Sequence, residues 1–417
     1  MQLADEIESH LLDDVLPLWY PRCVDREGGG FLPHFREDWT PGDRQQKTIV
    51  FQSRMTWLAA TVAERYPELA AEYRRYARHG LDFLAGTMWD AEHGGFFWGL
   101  DEEGKIIPAY GDEKHLYGMA FGIYAASAAY EAAEDERALD LAKRAFAWLE
   151  HHAHDGTNGG YYEAYTRSGE RILAPWTDAS GRRHTTDSLG TLYGYKSMNS
   201  HIHLLEALTA LYRVWPDAAV RTRLEEVHKV VRDKIAVEPG CLNLYFTPDW
   251  RPVPDHDSFG HDVETAYLLI ESAAALDTPD DPATLRMARL LVDHALALGW
   301  DERHGGFYDR GSAFHPAYRL EKVWWTQAEG LNALLLAHDH FGGGSSRYFE
   351  AFLKQWRFIA EHQIDHRYGG WHATVAADNT AEPGRDKATI WKAAYHNGRA
   401  LMEVSHRLRR LAGKGRH

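Results

Sequence analysis

His261 and Glu264 stand three apart in the stretch Ser258-Phe259-Gly260-His261-Asp262-Val263-Glu264, which follows a loop rich in Pro, Asp and His (252–257) and opens a helical run. Residues three apart share a helix face. An imidazole beside a carboxylate is one way to build a proton-transfer group, because imidazole titrates near neutrality and a carboxylate can orient it. Alone, the same pair also describes a surface or capping contact. Its weight depends on what the rest of the chain brings to it.

A repeat supplies the frame. Asp, three residues, Gly-Gly and an aromatic recur at Asp25 to Phe31, Asp90 to Phe96, Asp155 to Tyr161, Asp301 to Phe307 and Asp365 to Trp371. The aspartates lie 65, 65, 146 and 64 residues apart. The long gap spans two periods and predicts a hidden copy, which Pro239-Gly240-Cys241-Leu242 fits in degenerate form. Six copies in 417 residues give a unit of about 70. Each Gly-Gly-aromatic reads as a small β-hairpin, since Gly supplies the positive φ of tight strand connections. Between them, apolar residues at helical spacing predict twelve helices: 2–18, 47–65, 68–87, 113–133, 137–153, 197–214, 219–236, 259–276, 281–298, 321–340, 346–362 and 388–411.

Six helix pairs on one period either stack as an open solenoid or close into an (α/α)6 barrel. The distribution of unusual residues favours closure. Arg54 falls on the second helix, Tyr117 on the fourth, Asn199 and His203 on the sixth, and His261 and Glu264 on the eighth. Trp324, Trp325 and Glu329 fall on the tenth, and Trp391 and His396 on the twelfth. All lie in the first turns of alternate helices. A ring brings them to one funnel whose helix N-termini favour a developing negative charge. The expectation is an all-α (α/α)6 barrel with short hairpins, one catalytic domain over 1–417. His201 and His203 point about 200° apart on a helix and cannot share a metal; His203 is expected inward, beside Asn199, and His201 structural.

Composition narrows the function. A net charge of −15 argues against nucleic acid or an anionic membrane as partner. Cys23 and Cys241 offer neither a disulfide framework nor metal-ligand spacing. The start carries Asp5, Glu6, Glu8, Asp13 and Asp14 and does not read as a signal peptide, and no apolar run approaches 18 residues, so a reducing, cytoplasmic setting is expected. The basic end, Arg407 to Arg416, reads as a solvated tail. Fifteen Trp and 21 Tyr suggest a large aromatic core or a sugar-stacking cleft. No Ser or Cys elbow, phosphate loop or dinucleotide fingerprint is present. Two imidazoles on opposite sides of a ring suit removal of a proton from one face of a carbon and return to the other. Arg54 suits a developing enediolate oxygen.

Over its whole length the chain resembles the N-acylglucosamine 2-epimerase superfamily, most closely its cellobiose 2-epimerase branch. The resemblance rests on Lys114-His115-Leu116-Tyr117, on Ser197 to Ala207, on Leu211-Tyr212-Arg213-Val214-Trp215-Pro216, and on Ser258 to Glu264. Trp324-Trp325-Thr326-Gln327-Ala328-Glu329, and Trp391-Lys392 with Tyr395-His396-Asn397-Gly398-Arg399-Ala400, complete it. It implies the same barrel, with His261 and His396 as acid/base pair and Glu264 orienting His261. His203 would assist ring opening or bind the reducing end. Arg54, Tyr117 and Asn199 would contact the sugar oxygens, with Trp391 and one of Trp324 and Trp325 flanking the rings. The implied reaction opens the hemiacetal, removes the C2 proton to a cis-enediolate and reprotonates the other face, with no metal or nicotinamide. The resemblance implies a mono- or disaccharide substrate, and a monomer or homodimer is expected.

Two departures weaken the choice of sugar. Phe51-Gln52-Ser53-Arg54 lacks the Asn that the cellobiose branch tends to carry two residues before its Arg, and the loop 165–196, with Trp176, Arg182, Arg183 and His184, is longer and is expected to overhang the funnel. A 2-epimerase of free mannose or glucose, an N-acetylglucosamine 2-epimerase and an aldose–ketose isomerase remain alternatives. An inverting glycosidase or lyase using Glu264 and Glu329, or a non-catalytic helical-repeat protein, represents the other classes.

Overall fold

The computed structural model describes residues 2–107 and 111–414. Among them are twelve helices. Helix α1 runs Gln2–Ser9 and continues through a π-helical stretch, His10–Val15, into Leu16–Trp19. It is followed by α2 (Ile49–Arg65), α3 (Ala70–Phe83, extended by a π turn at Leu84–Met88), α4 (Leu116–Ala133), α5 (Glu136–His152) and α6 (Met198–Val214). Then come α7 (Ala218–Val230, with a π turn at Val231–Ile235), α8 (Phe259–Ala275), α9 (Pro282–Leu298), α10 (Trp324–Phe341), α11 (Arg347–Phe358, with a π turn at Ile359–Gln363) and α12 (Tyr395–Lys414).

The even-numbered helices pack side by side and the last returns to the first, α12 against α2, so the ring is closed. Each odd-numbered helix from α3 on packs outside the even-numbered helix before it, and α1 packs outside α12. Burial separates the layers. In α4, 14 of 18 residues are buried, and its Ala and Gly positions let neighbours approach on both sides. In α5 only 8 of 17 are buried, on one stripe, as a helix with one wet face requires.

All six hairpins are present. The residue before each aspartate pairs with the aromatic after Gly-Gly: Val24 with Phe31, Trp89 with Phe96, His154 with Tyr161, Trp300 with Phe307 and Ile364 with Trp371. The hidden copy is the pairing of Ala236–Val237 with Cys241–Leu242. In the five regular copies the aspartate side chain holds the turn through backbone N–H groups; Asp90 Oδ1 takes those of Glu92 and His93. The turn leaves no room for a side chain at Gly160, where φ is +73° and a Cβ would lie 2.4 Å from Trp250. That close approach lets Tyr161 N donate to His201 Nε2 at 3.1 Å, while His201 Nδ1 donates to Ser197 O at 2.7 Å. Both nitrogens are thereby used in holding a hairpin to a helix. Burial lowers this imidazole to about 3, so it stays neutral.

Four inner helices begin two residues after a buried lysine, and two are capped by a hydroxyl: Thr48 takes the N–H of Phe51 and Ser197 that of Ser200. His115 does the same through Nδ1, from Tyr117 N at 3.1 Å. The predicted twelfth helix is corrected at its start. It begins at Tyr395, and 388–394, with Trp391, form the loop that enters it. The basic end is no free tail over 407–410: Arg407 and Arg410 meet Asp339, and Arg409 bonds Asp5 and Glu8. Arg416 lies outside the described residues. No helix among them is long and apolar enough to cross a membrane.

Candidate active site

The N-terminal turns of the inner helices, together with the loop that carries Trp391 into α12, bring the predicted residues to one end of the ring. The first turn of α12 carries His396, whose Nδ1 bonds Glu329 Oε1 of α10 at 2.7 Å and lies 3.9 Å from Glu264 Oε1. A carboxylate only accepts, so Nδ1 carries the hydrogen and Nε2 presents its lone pair. Arg399, one turn deeper on the same face, ties the wall together. Its Nη2 reaches Glu264 Oε1 at 2.6 Å and Glu329 Oε1 at 2.7 Å, and its Nη1 bonds Glu206 of α6. One buried guanidinium therefore meets three buried carboxylates, and bidentate planar donors suit that task better than a lysine. Burial, then Arg54 and Arg399, pushes His396 well below its ordinary value, so its resting form is neutral.

His261, in the first turn of α8, sits in a different setting. It is half-buried, and its Nδ1 contacts Ser258 Oγ at 2.7 Å. A hydroxyl donates or accepts, so it fixes the ring without fixing the tautomer. Burial, then the proximity of His203, lowers His261 to about 3. The expected pairing with Glu264 does not form. Three residues along a helix advance about 4.5 Å, so Glu264 shares the face but lies a turn deeper, at Arg399, while Ser258 lies a turn nearer the mouth. Trp325 stands between the two histidines, 4.7 Å from the ring of His261 and 5.7 Å from that of His396. Gly260 makes this possible, since a Cβ there would lie 2.4 Å from the Trp325 ring.

The remaining predicted residues complete the funnel. Arg54 of α2 donates to Tyr117 OH at 3.0 Å and to Trp391 O at 3.2 Å, and lies over Phe121 and Tyr395. Burial raises the Tyr117 phenol to about 12, against the opposing pull of Arg54, so it remains a neutral donor. His203 faces inward, edge-on to Tyr117 at 5.1 Å, with Nδ1 on Glu206 Oε2 at 3.0 Å. Asn199 and His261 share a recess of ≈ 180 Å³ with Thr191, His256 and Arg310. Trp324 is turned aside, under the Lys392 ammonium at 5.9 Å.

The loop 165–196 forms an outer wall. Its strands Trp176–Thr177 and Arg183–His184 pair, and Trp176 stacks on His184 at 4.4 Å. Asp187 bonds His115, and Ser188 and Tyr193 bond Glu113. Between this wall and Trp98 and Trp391 lies a pocket of ≈ 470 Å³. A larger recess of ≈ 640 Å³ opens at the opposite end of the ring, among the C-terminal turns, and holds none of the predicted residues.

Glu206, Arg399 and Ser258 were not singled out from the sequence as site residues. The signal was there: His203 with Glu206, His261 with Glu264 and His396 with Arg399 are three pairs at the same three-residue spacing.

The sequence profile of the N-acylglucosamine 2-epimerase (GlcNAc 2-epimerase) family matches residues 29–400. The chain is 30% identical over 406 residues to a cellobiose 2-epimerase of Bacteroides fragilis, covering 96% of this chain and 98% of that one. It is 25% identical over 420 residues to a D-mannose isomerase of Marinomonas mediterranea, covering 95% and 96%. The solved cellobiose 2-epimerase of Spirochaeta thermophila aligns with a TM-score of 0.85 at 32% identity, over 99% of this chain and 98% of that one. With the fold, the length and the profile in agreement, this chain belongs to the N-acylglucosamine 2-epimerase family.

Proposed function

We propose that this chain is one catalytic domain that inverts C2 of the reducing-end unit of a sugar, and that its substrate is a cellobiose-like disaccharide. The observation that carries the reading is the pair of imidazoles from α8 and α12 on either side of Trp325, each with Nδ1 engaged and Nε2 left for substrate. One imidazole, neutral, takes the C2 proton as the electron pair moves toward C1 and its oxygen. The other, neutral at rest, takes up a proton only in the complex, where the developing enediolate charge favours an imidazolium. It returns that proton to the opposite face of C2 after the C1–C2 end has turned. The charges of the pair exchange with each turnover. Glu329 behind His396 stabilises the imidazolium when it forms there. Arg54 and Tyr117 donate to the enediolate oxygens, in a setting where burial strengthens each hydrogen bond. His203, backed by Glu206, moves the proton that opens the ring. The pocket beside Trp391 has the volume for a second sugar unit. The family resemblance and the buried free thiols of Cys23 and Cys241 support a cytoplasmic enzyme without a catalytic cofactor.

The test is NMR in D2O with cellobiose, mannose, glucose and N-acetylglucosamine. Deuterium at C2 together with a new epimer, fastest with cellobiose, is the expected result. A ketose product assigns an isomerase instead. No exchange with any of the four sinks the reading.

A further inference from the structure

Five of the six repeats share one buried device that the fourth lacks. The lysine preceding an inner helix sends Nζ to the hairpin aspartate: Lys47 to Asp25, Lys114 to Asp90, Lys196 to Asp155, Lys322 to Asp301 and Lys387 to Asp365. In four of them Nζ also bonds the carbonyl of the first glycine of the pair. These lysines are 0–1% exposed. Each of these five repeats thus encloses one lysine ammonium where hairpin, strand and inner helix meet. In the fourth repeat the strand position of the lysine is taken by Asp257, which pairs with Gly311 just as Lys196 pairs with Phe246. The aspartate position of the hairpin is taken by Val237.

The charge is not simply deleted. Asp262, from the first turn of α8, and His294 of α9 converge on Asp257, and the three are 0%, 6% and 3% exposed. His294 Nε2 donates to Ala313 O at 3.0 Å, which leaves Nδ1 as a lone pair. That lone pair faces Asp257 Oδ2 at 3.5 Å and Asp262 Oδ2 at 3.9 Å. None of the four carboxylate oxygens, nor Nδ1, makes a hydrogen bond. Three buried acceptors without a donor require a positive charge between them, either a proton shared by the carboxylates or a metal cation. The spacing is wide for hydrogen bonds but near the roughly 3.4 Å expected between ligands that each lie about 2.1 Å from a tetrahedral ion. A histidine whose other nitrogen is fixed on a carbonyl is the usual arrangement around a bound metal. One ligand atom from each residue lies within 4.8 Å of the others. Gly240, next to Cys241, backs onto α9 at Leu290 and His294.

We propose that Asp257, Asp262 and His294 hold a divalent metal ion of the zinc kind, which stands in the fourth repeat where a lysine ammonium stands in the other five. Its role is positional. It ties the strand before α8 to α8 and α9, and its ligands are the immediate neighbours of Ser258 and His261.

The test uses the full wild-type chain, stripped with chelator and titrated with Zn2+ or Co2+, with metal content read by mass spectrometry and the cobalt form by its d–d absorption. Expected are one ion per chain, the intense bands of a four-coordinate site and a higher Tm on metal addition. His294→Ala and Asp262→Asn should each weaken Co2+ binding at least about tenfold. Wild-type protein that takes up no metal, with Tm indifferent to chelator and to Zn2+, overturns the proposal and assigns the cluster a shared proton. Binding that survives in both variants overturns it as well, by placing the ion elsewhere.

Discussion

The two walls of the funnel present the same side chain in opposite settings. On the α12 wall, His396 is buried against Glu329 with Glu264 near and Arg399 behind both, so its tautomer and angle are fixed by charge. On the α8 wall, His261 is half-buried and held by one hydroxyl that can donate or accept. The first arrangement favours a fixed base whose cationic form has a counter-charge ready. The second lets a ring change its hydrogen without breaking its anchor. A reaction that runs in both directions at one carbon needs a proton site of each kind.

The largest expected effect comes from removing either imidazole. His396→Ala and His261→Ala should each lose at least about 10³-fold in epimerisation, within the range for a general acid or base. They should differ in D2O. Each variant keeps slow C2–H exchange in one epimer only, and in opposite epimers. Exchange of the same epimer in both would mean that the two histidines do not serve opposite faces.

Next is the charge cluster behind His396. Arg399→Met leaves buried carboxylates without their counter-charge and should destabilise the fold by about 3–5 kcal/mol in denaturant unfolding. A loss under about 1 kcal/mol would show that the cluster is dispensable. Glu329→Gln, which can present an N–H to Nδ1, should cut kcat about 10²-fold or more, whereas Ser258→Ala should cut it less than about tenfold. Equal losses in these two would erase the contrast between the walls.

A smaller effect is set by pH. Burial pushes Glu206 up, but Arg399, His203 and Tyr395 together bring it down to about 2. Unfolded, a glutamate titrates near about 4.3. The unfolded chain therefore binds more protons in between, and stability from this group is full above that value and declines as pH falls toward 2, at roughly 1 kcal/mol per pH unit. Glu206→Gln should flatten that part of the pH–stability curve, and an unchanged slope would contradict the assignment. The smallest change is expected at the rim. Trp391 is 39% exposed, and Trp391→Ala should raise KM for a disaccharide several-fold with kcat nearly unchanged. A similar rise for free mannose would remove the pocket's link to the second sugar unit.

Much of this was legible before any coordinates. The Asp and Gly-Gly-aromatic spacing gave six units because φ > 0 at the second glycine is a local requirement. Alternate helices carried the candidate residues because a closed ring has one inner end. The choice of His203 over His201 followed from helical angle alone, and His201 is indeed tied to Tyr161 and Ser197. What could not be read were partners across the ring. Glu264 shares a face with His261 in sequence, yet Arg399 lies 135 residues away and meets it first. Trp391 looked helical by pattern, but its segment is held by the side chain of Thr389, which takes the N–H groups of Trp391 and Lys392.

The sequence by itself determined the repeat, the two layers and the end at which the candidate residues gather, because turn geometry and helical periodicity act over a few residues. Only the tertiary structure decided which carboxylate serves which histidine, and that Asp257, Asp262 and His294 meet around one missing positive charge. Those are contacts between residues far apart in the chain, made only when the ring closes, and charge in a buried site depends on every neighbour that closure brings.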